Sequence, residues 1–169
     1  MIEKKITFWY LFFSHHPYSE LDRTLKLNLF NKKVYLCARC TGQYLALFLF
    51  MLFQAKIDYS SIPFEIISIL PLFATLDWLT QTLEIRKSNN YLRVITGGVF
   101  GVWLGIILCS IINLNFNLLI KLSIQSLIYF IIVLSILFFR RDKLNKYLKP
   151  YEKFIQKYEQ QRCYEDLST

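Results

Sequence analysis

From Val34 onward the chain is built of long apolar runs joined by short polar segments. Four runs stand out: Val34 to Gln54, Ile62 to Leu83, Tyr91 to Leu114 and Leu118 to Phe139. Each is close to the ~20 residues a helix needs, at ~1.5 Å rise per residue, to cross ~30 Å of hydrocarbon. The runs are continuous rather than alternating, and lipid leaves no backbone polar group unpaired, so helices are expected. Too few charges interrupt them to give the solvated face of a soluble bundle. Short joints make sequential helices antiparallel neighbours. Ahead of the runs, Lys4 and Lys5 precede a short apolar stretch, Ile6 to Phe13. It lacks a small-residue cleavage site and is expected to be retained, in the membrane interface or packed on the bundle. Behind the runs, Lys143 to Arg162 sets Leu144, Tyr147, Leu148, Tyr151, Phe154, Ile155 and Tyr158 at spacings of three and four among charges. That pattern predicts an amphipathic helix on the membrane surface or against a partner.

The expected fold is therefore all-α: a polytopic four-helix transmembrane bundle over residues 34–139. An N-terminal interfacial segment, residues 1–33, precedes it and a basic amphipathic cytoplasmic tail, residues 140–169, follows. Composition agrees. With 54% hydrophobic and 17% aromatic residues, the chain is too apolar for an ordinary soluble domain of this length. Five glycines and four prolines argue against disorder or a loop-rich β fold.

Charge adds an orientation. Lys and Arg gather before the first run (Arg23, Lys26, Lys32, Lys33, Arg39), between the second and third (Arg86, Lys87, Arg93), and along the tail from Arg140 to Arg162. The opposite side carries Lys56 and Lys121. The asymmetry predicts a multi-pass protein of the plasma membrane with both termini cytoplasmic. A sequence pI near 9.3 then reflects topology and anionic lipid head groups. No basic stripe interleaves with aromatics in a manner suited to nucleic acid.

Threading the runs alternately through a bilayer brings three polar groups to one face. The first is His15, His16, Cys37 and Cys40. Cys37-Ala38-Arg39-Cys40 has the spacing at which two thiolates share one metal ion, and the chain's two histidines lie on the same side. A zinc-like ion held by Cys37, Cys40 and His15 or His16 is one reading. A redox thiol pair and two small packed side chains are the others. A structural disulfide is disfavoured in a reducing compartment. Cys109 and Cys163 have no partner nearby in sequence.

The second group is Asp77, Thr80 and Gln81, which share one helical face. A carboxylate in an apolar run must pair, and Arg86 or Arg93 is one short loop away. Asp77 and Gln81 are the candidate catalytic residues. The third group is Arg86, Ser88, Asn90 and Arg93. Arg86, Asn90 and Arg93 would make a fork-shaped donor set for phosphate or carboxylate if the third helix begins ahead of its apolar run. A salt-bridged helix hairpin that binds nothing is the alternative. Gly97, Gly101 and Gly105 recur every fourth residue on the third run, a stripe where another helix can approach closely within one protomer or between two copies.

Ser14-His15-His16-Pro17, Leu36-Cys37-Ala38-Arg39-Cys40-Thr41-Gly42, Asp77 with Thr80-Gln81, and Arg86 to Arg93 with Thr96-Gly97 together resemble the domain-of-unknown-function 2085 family. These are small polytopic membrane proteins of archaea and bacteria. The resemblance runs from about residue 14 to residue 105. The family pattern begins with Cys-His, where this chain has Ser14-His15. A Cys3His centre would thus lack one thiolate here, and His16 is its candidate substitute. The resemblance supports the fold and supplies no activity.

Two functional classes remain from sequence. One is a structural or assembly component of a membrane system, in which a cytoplasmic-face metal site staples the N-terminal segment to the bundle. The glycine stripe would then drive assembly with other subunits or a second copy. The other is a membrane-embedded metal-dependent enzyme or lipid-handling protein that acts on an anionic, phosphate-bearing head group. A cavity bordering both the cysteines and the Asp77 group would favour the second.

Overall fold

A computed structural model describes residues 7–29, 32–56, 59–87 and 89–168. Ser88 and the stretch through Ile6 lie outside the described residues. The elements are α1 (Phe8–Phe13), β1 (Thr24–Leu29), β2 (Lys32–Cys37), α2 (Ala38–Phe53), α3 (Phe64–Thr82), α4 (Asn90–Ile112), α5 (Phe116–Phe139) and α6 (Arg141–Ser168).

The hairpin β1–β2 departs from the all-α expectation. It is antiparallel, with Thr24 opposite Cys37 and Leu25 opposite Leu36. Its cause is legible: Leu25, Leu27 and Leu29 alternate with polar residues, a period of two that suits a strand. The first apolar run therefore starts as strand, and its helix begins at Ala38. With 16 residues α2 is about 24 Å long, short of the ~30 Å core. Among the described residues, α4 and α5 are the two helices long and apolar enough to cross a membrane. Two helices are thus candidate spans, and the four-span bundle is not established.

Asn89 caps α4, accepting a hydrogen bond from the Leu92 amide at 2.8 Å. The cap starts the helix at Asn90, ahead of the apolar run, and so places Asn90 and Arg93 on one face of its first turn. Asn115 caps α5 in the same way. Large apolar side chains along α5, among them Leu127, Ile128, Phe130 and Ile131, point away from the protein.

α2 and α4 pack backbone to backbone. A Cβ at Gly97 would overlap the Arg39 carbonyl, one at Gly101 the Gln43 carbonyl, and one at Gly42 the Val94 carbonyl. Gly105 meets the Phe50 ring. The stripe is thus occupied by α2 of the same chain, and Gly97, Gly101 and Gly105 are not free to meet a second copy. Below this contact Phe50, Ile67, Trp103, Ile106, Cys109 and Leu122 form the buried core. The Cys109 thiol donates to Gln54 Oε1 at 2.7 Å inside it.

The tail is helical, as its pattern predicts, but part of its apolar face is already occupied. Phe154 is buried against Tyr10 and Tyr18, with ring centroids 6.1 Å from each. Lys143 and Lys146 reach Glu84 at the end of α3. α6 therefore lies across the N-terminal segment.

Candidate metal centre and its arginine wall

The hairpin assembles the site. Its register sets the start of β1 level with Cys37, and the segment before β1 then reaches the start of α2. Cys37 is the N-cap of α2 and Cys40 lies in its first turn, so both sulfurs sit at a helix N-terminus that favours thiolate. Both are free thiols. His15 exits α1 with φ 40°, the left-handed conformation usually left to glycine. A histidine there costs about 1–2 kcal/mol, which suggests a use for the ring.

The donor atoms of His15, Cys37 and Cys40 all lie within 4.8 Å of one another. His15 Nε2 is 3.9 Å from Cys40 Sγ, and His16 Nε2 is 3.4 Å from Cys37 Sγ. His16 touches one sulfur but stands outside the three-membered cluster. Donors around a tetrahedral ion, with bonds of ~2.0–2.3 Å, stand roughly 3.5 Å apart. The residues fit such an ion. Two thiols and an imidazole are a soft donor set of the kind that selects zinc and its neighbours. Cys37, on the strand side of the helix, has its thiol held well below the ordinary range, chiefly by the hydrogen bond from Cys40; burial opposes this, and both imidazoles add to it.

Asp77 is the second centre. Its side chain is 1% exposed. Oδ2 accepts from Arg39 Nη2 and Oδ1 from Arg86 Nη2, each at 2.5 Å. The expected partner Arg86 is present. Arg39, the residue between the cysteines, is the partner sequence reasoning missed, and it welds the two centres together. The side chains of Arg39 and Arg86 are 24% and 35% exposed. Arg93 takes a different partner: its Nη2 donates to Gln81 Oε1 at 2.7 Å, while Gln81 Nε2 donates to the Asp77 carbonyl at 2.8 Å. Asn90 donates to the Thr24 carbonyl at 3.0 Å and ties the hairpin to α4.

One cavity of about 280 Å³ joins the groups. It is lined by both histidines, both cysteines, Arg39, Gln81 and Arg93, with Arg23, Tyr147 and Tyr151 on its far wall. Arg86 instead lines a neighbouring cavity, shared with Gln81 and Arg93. Asp77 lies behind the first wall, with a guanidinium on each oxygen.

The far wall was invisible in the sequence. Arg23 Nη1 meets Glu20 Oε2 at 2.8 Å and donates to the Tyr147 and Tyr151 hydroxyls at 3.0 and 3.2 Å. Burial would lower the Arg23 pKa, but Tyr147, Tyr151 and Glu20 together raise it. Burial also raises the Tyr151 phenol. Tyr151 stands 135 positions from His16, and no local spacing could have joined them.

The length and apolarity of α4 and α5 fit one class, helical membrane proteins. A family described as a predicted membrane protein, DUF2085, matches residues 19–107, more than half of the chain, and the protein belongs to it. The matched segment holds Cys37, Cys40, Asp77, Gln81, Arg86, Asn90 and Arg93, whereas His15, His16 and Tyr151 fall outside it. An uncharacterised protein of Methanothermobacter thermautotrophicus is 33% identical over 75 residues, 42% of this chain and 66% of its own length. An uncharacterised protein of Methanocaldococcus jannaschii is 37% identical over 79 residues, 43% of this chain and 49% of its own length. The chain thus spans just under two thirds of the first relative and about half of the second. No solved structure matches the chain.

Proposed function

We propose that this membrane protein holds a zinc-like ion at His15, Cys37 and Cys40 and binds an anionic, phosphate-bearing head group beside it. One observation carries the reading: the donor cluster, Arg39 and Arg93 line the same cavity. A three-donor cluster leaves a position for an exchangeable ligand. An ion there would supply Lewis acidity toward a phosphoryl oxygen. The chain's own residues do the rest. Arg39 and Arg93 present planar donors to the anion. Asp77, with both oxygens on guanidinium groups, orients Arg39 and Arg86, a positioning role in place of a general base. Gln81 holds Arg93. Arg86 and Asn90 close the same end of the bundle.

A second reading has its own support. His15 comes from the turn after α1 and the cysteines from the start of α2, so one ion would also staple the N-terminal segment to the bundle. Both readings place the site at the cytoplasmic face of a multi-pass protein. The supporting facts are that the basic tail helix, the hairpin and Glu84 gather at the same end.

Elemental analysis of the purified full chain, with vesicle binding, tests this. About one zinc-like ion per chain is expected, lost in Cys37→Ser/Cys40→Ser. Binding of an aqueous phosphatidic acid analogue should exceed that of its phosphocholine counterpart, and Arg93→Gln should abolish the difference. A chain without metal, or one binding both head groups equally, overturns the corresponding half. Metal without head-group preference leaves the staple.

A further inference from the structure

We propose that the cavity beside the metal centre is a separate anion site, suited to a phosphate group that carries two negative charges. It needs neither an ion at the cysteines nor a head group in the first cavity, and so goes beyond the reading above.

The cavity encloses about 470 Å³ where the end of α3 meets the start of α4. Four cations line it, Arg23, Arg86, Lys87 and Arg93, against two carboxylates, Asp22 and Glu84. The carboxylates do not neutralise it. Glu84 is held by Lys143 and Lys146 at 3.4 and 2.9 Å, so one negative charge arrives with two further cations. Asp22 is exposed, and water and salt screen it.

Arg93 creates the demand for an anion. It is 5% exposed. Among the described residues its guanidinium is bonded to the neutral Gln81, to which Nη2 donates at 2.7 Å. Its Nε is buried without a hydrogen-bond partner. Arg23 and Arg39 each repel it more than Asp22 or Asp77 attracts it. A buried charge without an opposite charge carries a large desolvation cost, and a buried donor without an acceptor adds to it. A bound anion relieves both.

The other walls match that anion. Arg86 spends Nη2 on Asp77 and Nε on Thr80, which fixes its plane and leaves Nη1 for a ligand. Lys87 is exposed and brings a compact charge on a flexible stem. Guanidinium planes joined by an ammonium suit the tetrahedral oxygens of phosphate. A singly charged carboxylate would leave most of the cation excess standing. Asp22, Glu84, Ile85 and Lys87 are exposed, so the cavity opens to the aqueous side. Arg23, Gln81 and Arg93 line both cavities, whereas Lys87 lines this one and not the first. Lys87 therefore tells the two sites apart.

The test is calorimetric titration of inorganic phosphate into the full chain in neutral detergent micelles, with dioctanoyl phosphatidic acid as a second arm. Lys87→Gln should weaken phosphate binding about tenfold, the loss of one charge-assisted contact. Lys121→Gln removes one charge near the start of α5, at the other end of the bundle, and should leave the affinity unchanged. Chelation of any metal should leave the Lys87-dependent binding in place. Lys87-dependent binding of inorganic phosphate gives the site to a water-borne phosphate, and such binding of the lipid alone gives it to a head group; either upholds the site. Wild-type and Lys87→Gln chains that bind both probes alike, or bind neither, overturn it. So does loss of the binding on chelation, which would put the phosphate on the ion. A chain that binds phosphate in this way but holds no metal fails the metal reading above and upholds this site.

Discussion

The α2–α4 contact makes a demand that two neighbouring glycines answer in opposite ways. At Gly101 an added Cβ would lie 3.0 Å from the Gln43 carbonyl carbon and 3.1 Å from its Cα, and closer still to the oxygen. These are backbone atoms in the middle of a helix, and no side-chain rotation relieves them. At Gly98 the nearest atoms, Ala46 Cβ and the Gly42 oxygen, are 3.8 Å away, ordinary contact. Gly98→Ala should therefore stabilise by about 0.5–1 kcal/mol, the helix preference of alanine over glycine. Gly101→Ala gains the same preference but must separate two helices. Overpacking costs about 1–3 kcal/mol, so Gly101→Ala should fall about 1–3 kcal/mol below Gly98→Ala, a net loss of up to about 2.5 kcal/mol. Gly97→Ala should add a functional lesion, since its Cβ would lie 3.1 Å from the carbonyl carbon of Arg39, the residue that bridges the cysteines and Asp77. Reversible unfolding in mixed micelles, followed by circular dichroism, gives the stabilities. Equal stability of Gly98→Ala and Gly101→Ala would refute the packing argument. Dissociation of an oligomer in Gly101→Ala with unchanged protomer stability would do so as well.

Other outcomes follow from the polar site. Asp77→Asn removes the charge that two guanidinium groups share; breaking a buried pair costs about 3–5 kcal/mol, and partial exposure of Arg39 and Arg86 moves the expected loss to the low end, readable in the same unfolding assay. Arg93→Lys should weaken head-group binding, because lysine cannot reproduce a planar donor set, and should also lower stability by about 1–3 kcal/mol, because Arg93 is buried and its bond to Gln81 is lost; equal binding would count against the anion site. Lys146 and Lys143 hold the Glu84 carboxyl below its usual pKa, and since the folded value is the depressed one, this α3–α6 contact is present at neutral pH and lost as pH falls through the acid range. Side-chain 13C NMR should find the Glu84 carboxyl titrating below an exposed glutamate and moving back up in Lys146→Gln; a midpoint unmoved by that substitution would refute the contact. A cysteine placed near Asn115 should label from outside intact cells and Cys163 should not; labelling of Cys163 from outside would reverse the proposed orientation.

Much of the architecture was legible in one dimension because its causes are local. Continuous apolar runs dictate helices wherever backbone groups must pair internally, and α3, α4, α5 and α6 lie where such runs and periodicities put them. Asn89 and Asn115 mark their own helix starts. The alternation in Thr24–Leu29 was equally present, but short and overshadowed by the apolar run it leads into. Its hairpin shortened α2 and removed the residues that would have carried the first span across. The chemistry was legible as residue types: two cysteines three apart, two histidines, and a carboxylate with arginines nearby. Partner choice was not. Arg39 took Asp77, and Arg93 took Gln81, because backbone contact between α2 and α4 sets which guanidinium reaches which oxygen. Tyr151, Arg23 and Glu20 joined His16 only when α6 folded over the N-terminal segment, a contact between residues 135 positions apart. Sequence spacing encodes neighbours along a helix or strand. Which distant side chains share one cavity depends on how the elements pack, and that is decided in three dimensions.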